Sequence, residues 1–320
     1  MTAPLAPLTT LRLGGPAREL VTCTTADQLV EEALAGGFVL GGGSNVVLPD
    51  EGLDRVVLVR TRGVDGLTVQ AGEDWDGFVA HTLAEGYVGL EALSGIPGLV
   101  GAAPIQNIGA YGGEVAAFLS GVRALDRRSG RVEDLTPADC RFSYRHSRFK
   151  AEPGGWVVLS VTFALERGAL SAPVAYAELA ARLGVAVGDR APAAEVRAAV
   201  LELRRSKGMV LDPADPDSVS AGSFFTNPVV PVAPEGAPSW PEPSGQVKVS
   251  AAWLIEHSGF GKGWGDGAIG LSSKHTLAIV NRGGGTTAEL LAVARQIRDG
   301  VQERFGITLV NEPVLVGDVL

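Results

Sequence analysis

Cysteine is nearly absent from this sequence: Cys23 and Cys140 stand far apart among 320 residues. Two such residues without CxxC spacing exclude a disulfide-stapled scaffold and are expected to be free thiols of a reducing compartment. Histidine is equally sparse. His81, His146, His257 and His275 show no HExxH or comparable ligand spacing, so no metal site is expected. Basic charge is short as well. There are 27 Lys and Arg against 36 Asp and Glu, with no basic stripe, so nucleic acid is not an expected partner. No apolar run reaches the length of a membrane span, so no membrane partner is expected. The stretch TAPLAPLTT after Met1 lacks the basic-then-apolar layout of a signal peptide, and the expected location is the cytoplasm. The glycine run at 41–45 is not followed by GK[ST], so it is no P-loop, and its own spacing is not GxGxxG; a GxSxG hydrolase nucleophile elbow is absent as well.

What the chain has is glycine: 43 residues, against a usual share of roughly 7%. Tight turns are the ordinary cause; close approach of backbone to a cofactor is the sharper one. With 46% hydrophobic and 20% charged residues the chain is globular, and its length allows two or three domains.

Read for period and caps, the first segment places a strand at Glu19–Thr22 and a helix to Leu34 opened by a Thr25/Gln28 capping box. Strands follow at Phe38–Leu40 and Arg55–Val59, and a first lobe ends near residue 66. A strand at Leu67–Ala71 and a helix over about Asp74–Glu85 begin a second lobe. Gly89 to Glu114 is long, apolar and without period, which marks a functional segment. Strands at Gly121–Asp126 and Val157–Phe163 flank a hairpin, and Thr136-Pro137 is expected to start a short helix. A helix from Ala193 to Arg205 carries Val196, Ala199, Val200 and Leu203 on one face. The turn-rich DPADPD marks a boundary within Lys207–Ser220. Beyond it a helix is expected at Ala251–His257 and a strand at Leu277–Val280. A helix capped by Thr286 and Glu289 follows, and a strand at Ile307–Val310 closes the chain. The absence of a regular βαβ repeat argues for an α+β fold.

Five constellations could carry chemistry. Gly41, Gly42, Gly43, Ser44 and Asn45 follow a strand and could aim N–H groups at a diphosphate, though such turns are more often structural. The run from Ser94 to Gly112 offers small residues for a flat ligand, with Gln106 and Asn107 amides among apolar neighbours; a buried crossover loop is an equal reading. Arg145, within FSYRHSRFK, is either a surface arginine or a bidentate carboxylate clamp. Ser223, within SAGSFFTNP, sits on a tight turn beside apolar bulk. Glu312, after the closing strand and before Pro313, reads locally as a turn residue.

Taken in order, these segments resemble the UDP-N-acetylenolpyruvoylglucosamine reductase family, also called UDP-N-acetylmuramate dehydrogenase. The motifs IPGxVGxxPIQNIGAYG and GSFFxNP are specific, and the resemblance runs from about Thr10 to Val316. It implies an FAD-binding domain of the vanillyl-alcohol-oxidase type, about 14–168, in two lobes (1–66 and 67–207), then a substrate-binding domain at 208–320. The implied FAD contacts are Gly41 to Asn45, Ser94, Ile96, Pro97, Gly98, Gly101, Ala103, Ile105, Gln106, Asn107, Gly109, Tyr111 and Arg204. The 41–45 loop has no His or Cys to tether a flavin, so the FAD is expected to be noncovalent.

The implied reaction belongs to peptidoglycan precursor synthesis, with NADPH as co-substrate and a UDP-sugar as substrate. Hydride goes from flavin N5 to C3 of an enolpyruvyl ether and a proton from Ser223 to C2. Arg145 holds the substrate carboxylate, and Glu312, if protonated, donates to it. Tyr176 matches the substrate-covering tyrosine of the longer family type, while Lys207, Asn227, Trp240 and His275 fall at substrate positions. Thr226 stands where many members have Lys, Trp240 where the longer type has Tyr, and His275 where Gln can stand. A monomer is expected. The alternatives are another flavoenzyme of the same fold or a non-catalytic nucleotide binder.

Overall fold

The computed structural model describes residues 2–317 and 320. Helices and strands are interspersed without a repeating strand–helix–strand unit, as an α+β fold requires. The chain divides into two compact units. One comprises Ala17–Gly42 and Asp54–Arg205; the other comprises Ala3–Pro16, Gly43–Leu53 and Ser206–Leu320. No helix among the described residues is long and apolar enough to cross a membrane.

In the first unit, strands Pro16–Cys23, Leu53–Val59 and Phe38–Leu40 lie side by side in that order. The last two are parallel, with Phe38 opposite Val56 and Leu40 opposite Leu58. Four consecutive buried residues, Val56 to Val59, show that this strand is covered on both faces. Helix Ala26–Leu34 packs beside it through Leu29 and Ala33. Its cap differs from the expected box. The Thr25 hydroxyl accepts from Gln28 N–H, but the Gln28 amide reaches one residue further back, to the N–H and hydroxyl of Thr24.

The second sheet of this unit has the order Arg131–Leu135, Leu119–Asp126, Trp156–Phe163, Thr68–Gln70, Val64–Asp65, antiparallel throughout. Val122 faces Val161, which faces Val69, a row of three buried valines across three strands. Trp75, Phe78 and Phe163 pack as tilted rings against it. The helix expected from Thr136-Pro137 is a single turn. The N–H and hydroxyl of Thr136 donate to Asp139 at 2.9 and 2.6 Å, and Arg141 at φ 51° ends the turn before a second can form. Cys23 and Cys140 are both buried and unpaired, and burial pushes the Cys140 thiol up to about 11, so it is inert. A smaller core joins helices Ala177–Leu183 and Ala193–Ser206 through Leu179, Val196 and Val200.

The second unit is built on helix Thr287–Phe305, whose buried face is Leu290, Ala294, Ile297 and Val301. Its capping box is present in full: Glu289 N–H donates to Thr286 Oγ1 at 3.2 Å and Thr286 N–H to Glu289 Oε2 at 2.8 Å. Phe224, Phe225, Leu254 and Ile255 fill the space beneath it. Strands Val229–Val230, Val247–Val249 and Ser239–Pro241 form a small antiparallel sheet, and Ile269–Leu271 pairs with Ile279–Asn281. The strand expected at Ile307–Val310 is not a ladder. Leu309 is buried and Val310 exposed, so the alternation there follows burial, with one backbone bond, from Thr226 N–H to Val310 O at 3.0 Å. The pairing comes later: Asn311 bridges Phe225, and Val314–Leu315 runs parallel to Val46–Val47.

The DPADPD segment is pinned in place. Asp217 accepts from the Ser273 N–H at 3.0 Å and hydroxyl at 2.6 Å, and Lys274 Nζ donates to Asp215 at 2.7 Å.

Candidate active site

The sequence-predicted residues fall on both units, and each set is built separately. In the first unit two glycine loops lie back to back. Gly41 and Gly42 leave strand Phe38–Leu40, and Arg60 holds the Gly41 carbonyl at 3.1 Å. A Cβ on Gly42 would stand 2.9 Å from Cα of Gly98, so the first loop has no room for a side chain there. The Gly98 loop is held by Trp75, whose ring N–H donates to Leu93 O at 2.9 Å and whose backbone N–H donates to Gly98 O at 3.0 Å. Ser94 is buried, its hydroxyl donating to Glu91 O at 2.7 Å. Ile96 and Pro97 are half-buried. Gly101 presses on Ala71, where a Cβ would meet Ala71 Cβ at 2.5 Å, and Ala103 is buried beneath it.

The second and third constellations are one structure. Ser143 and His146 exchange backbone hydrogen bonds and put Tyr144 and Arg145 at the tip of a tight turn. Asn107 Nδ2 donates to Ser143 O at 3.1 Å, and the Ser147 hydroxyl donates to Ile105 O. In return, Arg145 donates to Asn107 O at 3.3 Å and to Gly109 O at 2.6 Å. The Asn107 amide also bonds Glu114 and the Ala116 N–H, so it holds this clasp together. Gln106, beside it, is half-buried.

Among the described residues five non-glycine residues have positive φ, and Asn107, Tyr111 and Arg145 are three of them. Each costs on the order of 1 kcal/mol, which concentrates backbone strain on this segment. Tyr111 meets Tyr176 edge-on, with centroids 5.6 Å apart. Arg204 lies near Tyr111. Burial pushes the Tyr111 phenol up to about 12 and pulls the Arg204 guanidinium down to about 10. At neutral pH the first stays uncharged and the second stays cationic.

In the second unit, Gly43 at φ 64° fits where a Cβ would strike Leu8 O, and its own carbonyl accepts from Thr10 N–H at 3.0 Å. Ser44 is half-buried. Asn45 O accepts from Val314 N–H at 3.0 Å, and Asn45 Nδ2 reaches Glu312 O at 3.5 Å. Glu312 N–H in turn donates to Phe224 O at 2.8 Å. One hydrogen-bonded ladder therefore joins the end of the glycine loop, Glu312 and the residue after Ser223. Ser223 is half-buried behind Gly222, which takes φ 71°.

The remaining substrate candidates are more scattered. Asn227 Oδ1 accepts from Ala251 N–H at 2.9 Å and caps a helix. Trp240 is exposed on the small sheet opposite Lys248. His275 lies in the turn between two paired strands, and Lys207 beside Gly208 is half-buried. A cavity of about 720 Å³, lined by Gly261 to Ile269 and Glu289, contains none of these residues.

Residues 24–136 match the FAD binding domain family, and residues 213–316 match the UDP-N-acetylenolpyruvoylglucosamine reductase C-terminal domain. The UDP-N-acetylenolpyruvoylglucosamine reductase of Streptomyces coelicolor is 53% identical, over 99% of this chain and 90% of that protein. The chain belongs to the UDP-N-acetylenolpyruvoylglucosamine reductase family. The Thermobifida fusca reductase is 51% identical over 99% of this chain and 98% of its own length. The crystal structure of the Thermus caldophilus reductase superposes with a TM-score of 0.72 at 29% identity, covering 98% of each chain.

Membership makes the protein an FAD-binding oxidoreductase. The residues present fit FAD: the Gly42 and Gly98 backbones meet where a side chain would clash, and Arg204 stays cationic nearby in the same unit. Gly42→Ala should force two backbones apart and weaken FAD binding about tenfold or more, read as the FAD dissociation constant by flavin fluorescence. Wild-type affinity in this variant would mean the two loops yield without cost. Sequence reasoning passed over Asp76 and Arg197, which bond each other within the first unit; a separation of 121 residues leaves no local signal.

Proposed function

We propose that this chain reduces the enolpyruvyl ether of UDP-N-acetylglucosamine to UDP-N-acetylmuramate at the expense of NADPH. The observation that carries the reading is the ladder from Asn45 through Glu312 to Phe224, which sets Ser223 and Glu312 within a residue of each other across a paired backbone. FAD, when bound, would supply the redox chemistry that carries hydride from NADPH to C3 of the enolpyruvyl group. Gly41 to Asn45 and the Ser94–Tyr111 segment hold the cofactor. Ser223 gives the proton to C2. A serine hydroxyl is a weak acid, so it must be aimed at that carbon and its alkoxide stabilised. Arg145 holds the substrate carboxylate and stabilises charge as it develops on the enolate. Two of its donors are already set by Asn107 O and Gly109 O, which fixes the plane of the guanidinium. Glu312 donates to the same carboxylate from its protonated form. Tyr176 covers the bound substrate, and Lys207 meets the nucleotide phosphates.

The direct test is NADPH consumption by the purified protein. It should require the enolpyruvyl substrate and yield one lactyl ether per NADPH. Fast consumption with oxygen alone would favour an oxidase of the same fold. The flavin should leave the protein on denaturation, as a noncovalent cofactor does. For Glu312, the pH profile decides. Glu312→Gln, whose amide can still donate but cannot ionise, should keep its activity unchanged across pH. A Gln variant inactive at every pH would refute a neutral Glu312.

A further inference from the structure

We propose that Asp76 and Arg197 form a positioning pair that holds the Ser94–Gly98 loop for FAD. Neither residue lies in a cofactor motif. Asp76 sits in the first turn of helix Trp75–Ala84, and Arg197 on helix Ala193–Ser206. Their contact is a fork, with Arg197 donating to Asp76 Oδ1 at 2.6 Å and to Oδ2 at 2.8 Å. The same Oδ1 accepts from the Gly95 N–H at 2.6 Å. Gly95 is buried at φ 71°, a conformation natural to glycine.

The loop is thus held at three points. Trp75 takes Leu93 and Gly98 at its ends, and Asp76 takes Gly95 in the middle. Pro97 has no N–H to add a fourth. Because Gly98 backs directly onto Gly42, a shift of this loop displaces the glycine surface that receives the cofactor. A bidentate arginine fixes a carboxylate in direction as well as distance, which a single bond to Gly95 would not do. The helix carrying Arg197 also carries Arg204 two turns on, on the same side. Asp76 lies within the electrostatic reach of Arg204, beside Tyr111 and Arg145. One carboxylate therefore orients the loop and balances two arginines of the cofactor-binding unit.

The inference rests on FAD occupying this unit, not on the reaction proposed for it, and its readouts are binding and spectrum. In full-length holoenzyme, Asp76→Asn and Arg197→Met should each raise the FAD dissociation constant about tenfold or more. Both should alter the band shape of the bound flavin and speed hydrogen exchange at the Gly95 amide. Arg197→Lys, which keeps charge but loses the fork, should recover only part of the affinity. If the Met variant does not fold, the Lys variant and Asp76→Asn decide by the same three measurements. FAD affinity within twofold of wild type with an unchanged flavin spectrum, whatever happens to the melting temperature, would overturn the proposal.

Discussion

Ser223→Ala should leave NADPH bleaching of the flavin close to the wild-type rate while reoxidation by the enolpyruvyl substrate falls about 10²–10⁴-fold. The two halves separate because a hydroxyl acting only as an acid has no part in the first. The substitution removes one oxygen from a half-buried turn and leaves the backbone of Phe224, which Glu312 N–H holds at 2.8 Å, in place. FAD content and folding should therefore be unchanged. Stopped-flow absorbance in two stages measures both rates on one preparation. Reoxidation at wild-type speed would sink the assignment of Ser223, and slow bleaching would show that the turn serves the cofactor instead.

Arg145→Lys is expected to be nearly as severe, slowing reoxidation by about 10²–10³-fold with bleaching little affected. Lysine keeps the charge but loses the planar fork, so the carboxylate is no longer gripped bidentately. It also loses the bonds to Asn107 O and Gly109 O that hold the guanidinium in plane. The left-handed backbone at residue 145 strains Lys as it strains Arg, so the comparison isolates the head group. The effect should appear in kcat as well as KM, because charge stabilisation grows toward the transition state. A change confined to KM would reduce Arg145 to a binding residue.

Much of the fold is legible in the sequence. Thr286 and Glu289 announce a capping box, and the box is there with both bonds made. The helix-period apolar residues of 287–305 are its buried face. Local chemistry of this kind acts over three or four residues and is written directly in the sequence. The misreadings came where burial imitates another signal. Leu309 and Val310 alternate as a strand would, yet 307–310 forms no ladder: of its backbone only the Val310 carbonyl is engaged among the described residues, by Thr226, and the strand pairing lies at Asn311 and Val314. Thr136 caps a turn as a helix start would, and Arg141 stops it.

At the candidate site, the sequence alone determined the residue types and their order: the glycine run, the IPG and GAYG segments, Arg145, Ser223 and Glu312. Those are enough for the family, because each motif is local and specific. Tertiary structure decided what each residue touches. It turned the Asn107 amide onto the Ser143 turn, closed Arg145 onto carbonyls 36 and 38 residues away, and joined Asp76 to Arg197 across 121 residues. Such partners are set by which strands and helices pack together. Their spacing along the chain carries no period from which to read them.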